Sequence, residues 1–141
     1  MDKIKLLFVC IHNSARSQMA EAIINHYYND KFIAESVGFE AGTLNPFAVE
    51  AMKEWGIDIS QNQTNMVFDY FKEGRLYSYV ITVCDESNAE RCPVFPGVTT
   101  RLHWSFPDPS SYQAGVEDKL WFTRNVRDQI KEKIDKWVKT L

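Results

Sequence analysis

A chain of 141 residues and 16.4 kDa has the size of one domain, since two would each have to build an unusually small core. With 45% hydrophobic and 25% charged residues the composition is that of an ordinary folded protein, which excludes disorder over most of the length. Sixteen basic residues against nineteen acidic ones leave a net charge of -3 and no basic stripe to track phosphates, so nucleic acid is not an expected partner.

Lys3 to Cys10 is a mostly continuous aliphatic run, the pattern of a strand buried on both faces of a parallel sheet. From Ser17 the segment SQMAEAIINHYY places Met19, Ala22, Ile23 and Tyr27 on one helical stripe among strong helix formers. Phe32 to Val37, closed by Gly38, reads as a second strand, so the first 38 residues have the order of a right-handed β-α-β unit. The expected fold class is therefore α/β: a single domain over residues 1–141, with a parallel sheet of about four strands flanked by helices. Asn45 before Pro46 matches an N-cap with proline at the first helical position, followed by the stripe Phe47, Ala51, Met52, Trp55 and a stop at Gly56. Gln61 to Gly74 is polar first and mildly helical after, and the pattern leaves its boundaries open. Tyr79 to Cys84 repeats the β-branched character of the first strand and again ends on cysteine. Arg101 to Phe106 is a candidate fourth strand before Pro107 and Pro109 enforce a loop. From Gly115 onward Leu120, Val126, Ile130, Ile134, Trp137 and Leu141 keep helical spacing, with Glu132/Lys136 and Asp135/Lys139 as exposed pairs.

The longest apolar run, Leu6 to Ile11, falls far short of the roughly 20 residues that cross a bilayer and is too short for a secretory core. No membrane association and a cytoplasmic location are expected. Three cysteines in that compartment argue against a disulfide framework and for metal, redox or nucleophilic use. Cys10 ends the first strand, and Ile11, His12, Asn13, Ser14, Ala15, Arg16 and Ser17 lead into a helix N-terminus, where unpaired N–H groups and the helix dipole favour an anion. Ile11 to Ser17 is thus the expected binding loop for a tetrahedral oxyanion. Cys10, set among those amides, is favoured as the thiolate that attacks near neutral pH. Five intervening residues let the backbone curl around the anion, while Arg16 closes the ring with a planar, bidentate fork that lysine lacks. Ser17 is placed to donate a hydroxyl hydrogen bond to the Cys10 sulfur, and Asn13 to hold the curled loop. A zinc site from Cys10, His12, Cys84 and Cys92 is the metal alternative. Those ligands lack short paired spacing, and an arginine inside the site opposes a cation, so no metal is expected.

Cys-x5-Arg-Ser at a strand-to-helix junction at the extreme N-terminus resembles the signature loop of the low-molecular-weight protein tyrosine phosphatases. His12 stands where these commonly carry glycine, and Ala15 where many carry a second cysteine. VITVC, CPVFPG and HWSFPDP, in order along the chain, resemble the thioredoxin-coupled arsenate reductases that share the phosphatase fold, and this resemblance covers essentially the whole chain. It implies that Cys10 attacks arsenate, that Cys84 attacks the arsenic-bearing Cys10 to expel arsenite, and that Cys92 then attacks Cys84, leaving an exposed disulfide for thioredoxin. It also implies a low-molecular-weight phosphatase-like fold, with Asp108 of the Asp-Pro pair as a general acid. No cofactor is required. Potassium, bound by some reductases of the family, is matched by Asn13, Glu21 and Ser36, with Asn65 at the remaining acidic position. Trp104 and Phe106 stand as walls of the site or as core aromatics.

Eight steps of helix at about 1.5 Å would hold the Cα atoms of Cys84 and Cys92 roughly 12 Å apart, against about 4.4 to 6.8 Å in a disulfide, so any helix across Asp85 to Arg91 must unwind. For Cys92, beside Pro93 in a polar stretch, an accessible position is expected. A low-molecular-weight phosphotyrosine phosphatase is the rival reading, since arsenate and phosphate are both tetrahedral oxyanions, but hydrolysis has no use for Cys84 and Cys92. A non-enzymatic oxyanion-binding or redox-sensing module is a third class, which turnover would exclude.

Overall fold

A computed structural model describes residues 2–40, 42–84, 91–111 and 115–141. Strand β1 (Ile4–Cys10) is the pivot of a four-stranded sheet: Leu6, Leu7, Phe8 and Val9 are fully buried, because both of its faces are covered. It pairs in parallel with β2 (Phe32–Gly38) on one side and with β3 (Tyr79–Thr82) on the other, and β3 pairs in parallel with β4 (Thr100–His103). The order β2-β1-β3-β4 makes the C-terminal end of β1 the point where connections diverge to opposite sides, which opens a crevice there. β4 is an edge strand and is half exposed, as edges are. It is shorter than the expected Arg101 to Phe106, although the Trp104 amide still donates to the Thr82 carbonyl at 2.8 Å.

Helix α1 (Arg16–Tyr27) packs on β1 and β2, α2 (Pro46–Lys53) follows, α3 (Val67–Lys72) is a short turn of helix, and α4 (Val116–Val138) closes the domain against α1 and α2. The Asn45 side chain accepts from the Phe47 amide at 2.8 Å with Pro46 in the first turn, the capping expected of Asn-Pro. The open segment 61–74 resolves into a bridge between Met66 and Gly38 followed by α3, with Gly74 beyond it at φ 70°. Leu6, Phe8, Met19, Ile23, Ile24, Phe32, Met52, Ile81, Ile130 and Ile134 form one core.

Three expectations about packing are corrected. The buried side of α1 is not a narrow stripe: Ser17, Gln18 and Ala20 are buried with Met19 and Ile23, while Tyr27 is 42% exposed. The start of α1 lies beneath its own preceding loop and the 62–65 segment, so its polar residues are enclosed too, whereas Tyr27 emerges to meet the Trp55 ring edge-on. Leu141 is also exposed, lying beyond the last helical turn. Asp135 pairs with Lys131 at 2.7 Å and receives the Tyr28 hydroxyl at 2.6 Å rather than pairing with Lys139, because Tyr28 at the end of α1 packs over that face of α4. Glu132 and Lys136 do pair, at 2.9 Å.

Candidate active site

At the end of β1 the chain turns through residues 11–15 into α1, whose N-terminus carries no capping side chain. The first N–H groups of a helix have no intrahelical partner, so they point into the crevice available to an anion. Cys10 is buried at the strand end. The Asn13 amide donates to its sulfur at 3.1 Å, and Ser17 Oγ lies 2.8 Å from it.

The direction of that last bond follows from the surrounding network. Asn13 Oδ1 accepts the backbone N–H of Asn65 at 2.9 Å, which can only be a donor, so the Asn13 NH2 group is the end that faces Ser17 Oγ at 2.7 Å. Ser17 therefore accepts from Asn13 and turns its own proton to the Cys10 sulfur. Two donors aimed at one sulfur stabilise negative charge on it. Asn13 holds the loop at φ 56°, a left-handed conformation that asparagine tolerates, and it is fully buried.

Arg16 is 4% exposed, its Nη1 donating to the Phe106 carbonyl at 3.1 Å and its Nη2 lying 3.7 Å from Asp108 Oδ2. Cys10, Asn13, Arg16, Ser17 and Asp108 are thus gathered at one end of the sheet from positions nearly 100 residues apart. Ala15 is buried; Ile11 and Ser14 are partly exposed, and Ser14 Oγ meets Ser110 Oγ at 3.3 Å. His12 is exposed and points outward to Glu40 at 3.0 Å. Trp104 belongs to the core, packed on Phe8 and Trp137, and Phe106 contributes its carbonyl.

Cys84 lies two residues past β3 and is fully buried. The Val83 amide donates to the Val9 carbonyl at 2.8 Å, so Cys84 leaves β3 alongside the point where Cys10 ends β1. Cys92 is buried as well, at 4% exposure, which corrects the expectation drawn from its polar neighbours: it belongs to the hydrophobic core cluster, as does Phe95 three residues on. Burial pushes its thiol pKa up, with Arg101 opposing. None of the three cysteines is joined in a disulfide. The proposed unwinding across Asp85 to Arg91 falls, apart from Arg91, outside the described residues.

Several residues that hold the loop carried no functional reading from sequence. A Cβ on Gly38 would meet the Asn13 nitrogen at 2.7 Å and the Ile11 oxygen at 2.8 Å, and one on Gly42 would meet the His12 oxygen at 2.5 Å, so both glycines let the backbone pass against the anion loop. Gln18 donates to Asn13 Oδ1 at 3.2 Å and to the Gln63 carbonyl at 3.0 Å, and receives Asn62 at 3.1 Å. The visible signal was Gly38 and Gly42 flanking the turn after β2; nothing marked Gln18, which joins Asn13 to Asn62 and Gln63, the last of them 45 residues away.

The residues matched to potassium do not fit a cation. The Asn65 side chain turns its NH2 group to two carbonyls, Ser36 at 3.4 Å and Gln63 at 3.3 Å, an orientation fixed because carbonyls only accept. A cation would meet a donor there rather than an oxygen. Asn13 Oδ1 already accepts two N–H groups, and Glu21 Oε1 accepts the Ser36 hydroxyl at 3.3 Å, with burial pushing the Glu21 carboxyl up to about 7. Nor do Cys10, His12, Cys84 and Cys92 form a zinc centre: among the described residues no group of three or more such ligands could hold a metal.

Residues 5–141 match the family model for low molecular weight phosphotyrosine protein phosphatase. The chain belongs to that family. An arsenate reductase of Bacillus subtilis (strain 168) is 42% identical over 135 residues, covering 96% of this chain and 95% of that one. An arsenate reductase solved in a phosphate binding state is 30% identical, with a TM-score of 0.76 over 97% of this chain and 98% of that one. The Corynebacterium glutamicum thioredoxin-dependent arsenate reductase, 24% identical and with 62% of its length covered by 99% of this chain, shares the fold at a TM-score of 0.68. The Bacillus subtilis enzyme and the phosphate-bound structure place the chain on the family's arsenate reductase branch, in agreement with the resemblance read from its motifs, and the observed four-stranded parallel sheet is the expected fold.

Proposed function

We propose that this protein reduces arsenate to arsenite through a relay of Cys10, Cys84 and Cys92, with thioredoxin as the terminal reductant. The observation that carries this reading is that Cys84 is buried beside the Cys10 strand end, with a third cysteine, Cys92, further along the same connection and also outside any disulfide. Hydrolysis of a phosphate ester would use neither.

Arsenate enters the crevice as a tetrahedral oxyanion, held by the 11–17 backbone and the Arg16 fork. The Cys10 thiolate forms a bond to arsenic, and an oxygen departs as water, for which Asp108 is the general acid. Cys84 then attacks the Cys10 sulfur: the S–S bond forms, the S–As bond breaks, and its electron pair stays on arsenic, which leaves as arsenite. Cys92 attacks Cys84 in turn, releasing the Cys10 thiolate and leaving a Cys84–Cys92 disulfide that thioredoxin reduces. The chemistry needs reduced thiols, in accord with a cytoplasmic location, and no helix among the described residues is long and apolar enough to cross a membrane. No cofactor is required, because Asn65 and Gln18 hold Asn13 through the protein's own hydrogen bonds.

Steady-state arsenate reduction with a thioredoxin system tests the reading. Wild type should turn over repeatedly, whereas Cys92→Ser should complete one round and stall as a Cys10–Cys84 disulfide seen by peptide mass mapping, and Cys84→Ser should not resolve the Cys10 adduct. Both variants should still cleave an aryl phosphate. Sustained thioredoxin-dependent turnover in Cys92→Ser would refute the relay, and aryl phosphate cleavage without arsenate turnover in the wild type would favour the phosphatase.

A further inference from the structure

From Arg91 to Thr99 the chain forms neither helix nor strand, yet Cys92 within it is buried. The Cys92 sulfur has a weak local partner, the Pro93 carbonyl at 3.6 Å. Thr99 and Phe95 tie the far part of this stretch to Tyr77, just before β3; at Cys92 itself the tie is Arg101 of β4, whose Nη2 donates to the Cys92 carbonyl at 3.3 Å. The guanidinium arrives from a strand whose backbone is fixed by pairing with β3, so it provides a rigid reference point for an irregular segment.

We propose that Arg101 is the positioning residue for Cys92: it anchors the Cys92 backbone to the sheet edge and stabilises the thiolate that attacks Cys84. The inference rests on the three-cysteine relay and assigns a residue to its last exchange. In that step the Cys92 thiolate forms a bond to the Cys84 sulfur, the Cys10–Cys84 bond breaks, and its electron pair leaves on Cys10 as thiolate. The proton lost by Cys92 passes to solvent. No further oxidant enters, since arsenate has already been reduced.

Burial alone works against this step, because it favours the neutral thiol, and Arg101 opposes it through its charge and a hydrogen bond. Arg91, one residue before Cys92, is directed elsewhere: it lies 3.8 Å from Glu40 and over the Phe39 ring. Among the described residues, Arg101 is therefore the charged group that bears on the Cys92 thiol. Its own side chain is exposed, so replacing it leaves the core packing intact.

The test is a single turnover of the full chain with arsenate and no thioredoxin, quenched by alkylation between pH 6 and 9, in wild type, Arg101→Gln and Arg101→Lys. The arsenite burst and the Cys10–Cys84 disulfide should appear at the wild-type rate in all three. Conversion to the Cys84–Cys92 disulfide should be roughly tenfold slower at pH 7 in Arg101→Gln, as expected for the loss of a nearby opposite charge. The deficit should close as the pH approaches 9, and Arg101→Lys should recover part of the rate. A wild-type pH profile in Arg101→Gln, or equal slowing of both variants at every pH, would overturn the assignment. A wild type that never forms Cys84–Cys92 would instead overturn the relay, and this inference with it.

Discussion

Two connections leave the same end of the sheet from neighbouring parallel strands, each beginning near a buried cysteine, and they are held in different ways. After β1, every polar side chain of the buried part of the loop is committed: Asn13 to Ser17, Gln18 and Asn65, Ser17 to Cys10, and Arg16 to Phe106 and Asp108. After β3, the described part of the connection is held at scattered points, Arg91 on Glu40 and the Phe39 ring, Phe95 on Phe71 and Tyr77, Thr99 on the Tyr77 carbonyl and Arg101 on the Cys92 carbonyl, while the Cys92 thiol itself faces its neighbour's carbonyl at 3.6 Å. The first arrangement suits a step whose geometry must not change, the capture of a tetrahedral anion by amides already aimed at it. The second suits a thiol that has to turn toward another sulfur, because its own hydrogen bond to the Pro93 carbonyl is long and weak.

The difference is broken most severely at the first loop. Cys10→Ser should lose both arsenate reduction and aryl phosphate cleavage by roughly 10⁴-fold or more, since an alcohol at that position lacks a thiolate's nucleophilicity. Arg16→Lys keeps the charge but loses the planar fork and the bond to the Phe106 carbonyl, with an expected loss of about a hundredfold in both reactions. Oxyanion affinity unchanged by Arg16→Lys, measured by calorimetric titration with phosphate, would remove Arg16 from the site.

A smaller effect tests whether the first loop is held by its network or by backbone shape alone. Asn13→Gly keeps the left-handed φ without strain, whereas Asn13→Ala adds a Cβ there, and both leave the Asn65 N–H and the Gln18 amide without their acceptor. Each should lower stability to urea by about 2–3 kcal/mol, with alanine the worse of the two, and should weaken phosphate binding by roughly tenfold. Stability preserved in Asn13→Gly would mean that the side-chain bonds contribute little.

The same contrast explains what could be read in advance. The Cys10 to Ser17 loop was legible because its working parts are local: a strand end, a curled backbone and a helix N-terminus follow one another within eight residues. The alternation of apolar runs was enough for the strands, since a parallel sheet buried on both faces leaves continuous aliphatic stretches at Leu6 to Val9 and Val80 to Val83. Contacts made across long separations left no such mark. Cys92 follows a polar stretch yet joins the core; Gln18 is buried and Tyr27 emerges because the 62–65 segment closes over the start of α1 but not its end. Gly38 read as the end of a strand, and only the close approach of the Asn13 and Ile11 backbones shows why a side chain has no room there.

The mildest expected effect concerns Glu21, in α1 and joined to the first loop through Ser36 and Asn65. Burial pushes its carboxyl from 4.5 up to about 7, partly offset by the Ser36 hydroxyl. Because the folded state holds this proton more tightly than the unfolded chain does, the contribution to stability is fully present below about pH 4.5. It is lost as the pH rises through about 7. The shift corresponds to roughly 3 kcal/mol between the two limits. Glu21→Gln keeps an oxygen for the Ser36 hydroxyl but carries no proton to lose, so its stability should lack this slope and exceed that of wild type at pH 8. Urea denaturation of both proteins at pH 5 and pH 8, in potassium and in choline chloride, measures it. The curves should coincide between the two salts, because Asn65 presents a donor where a cation would need an oxygen. A wild type stabilised by potassium but not by choline at pH 8 would show that a cation balances the Glu21 carboxylate, and would undo the reading of Asn65.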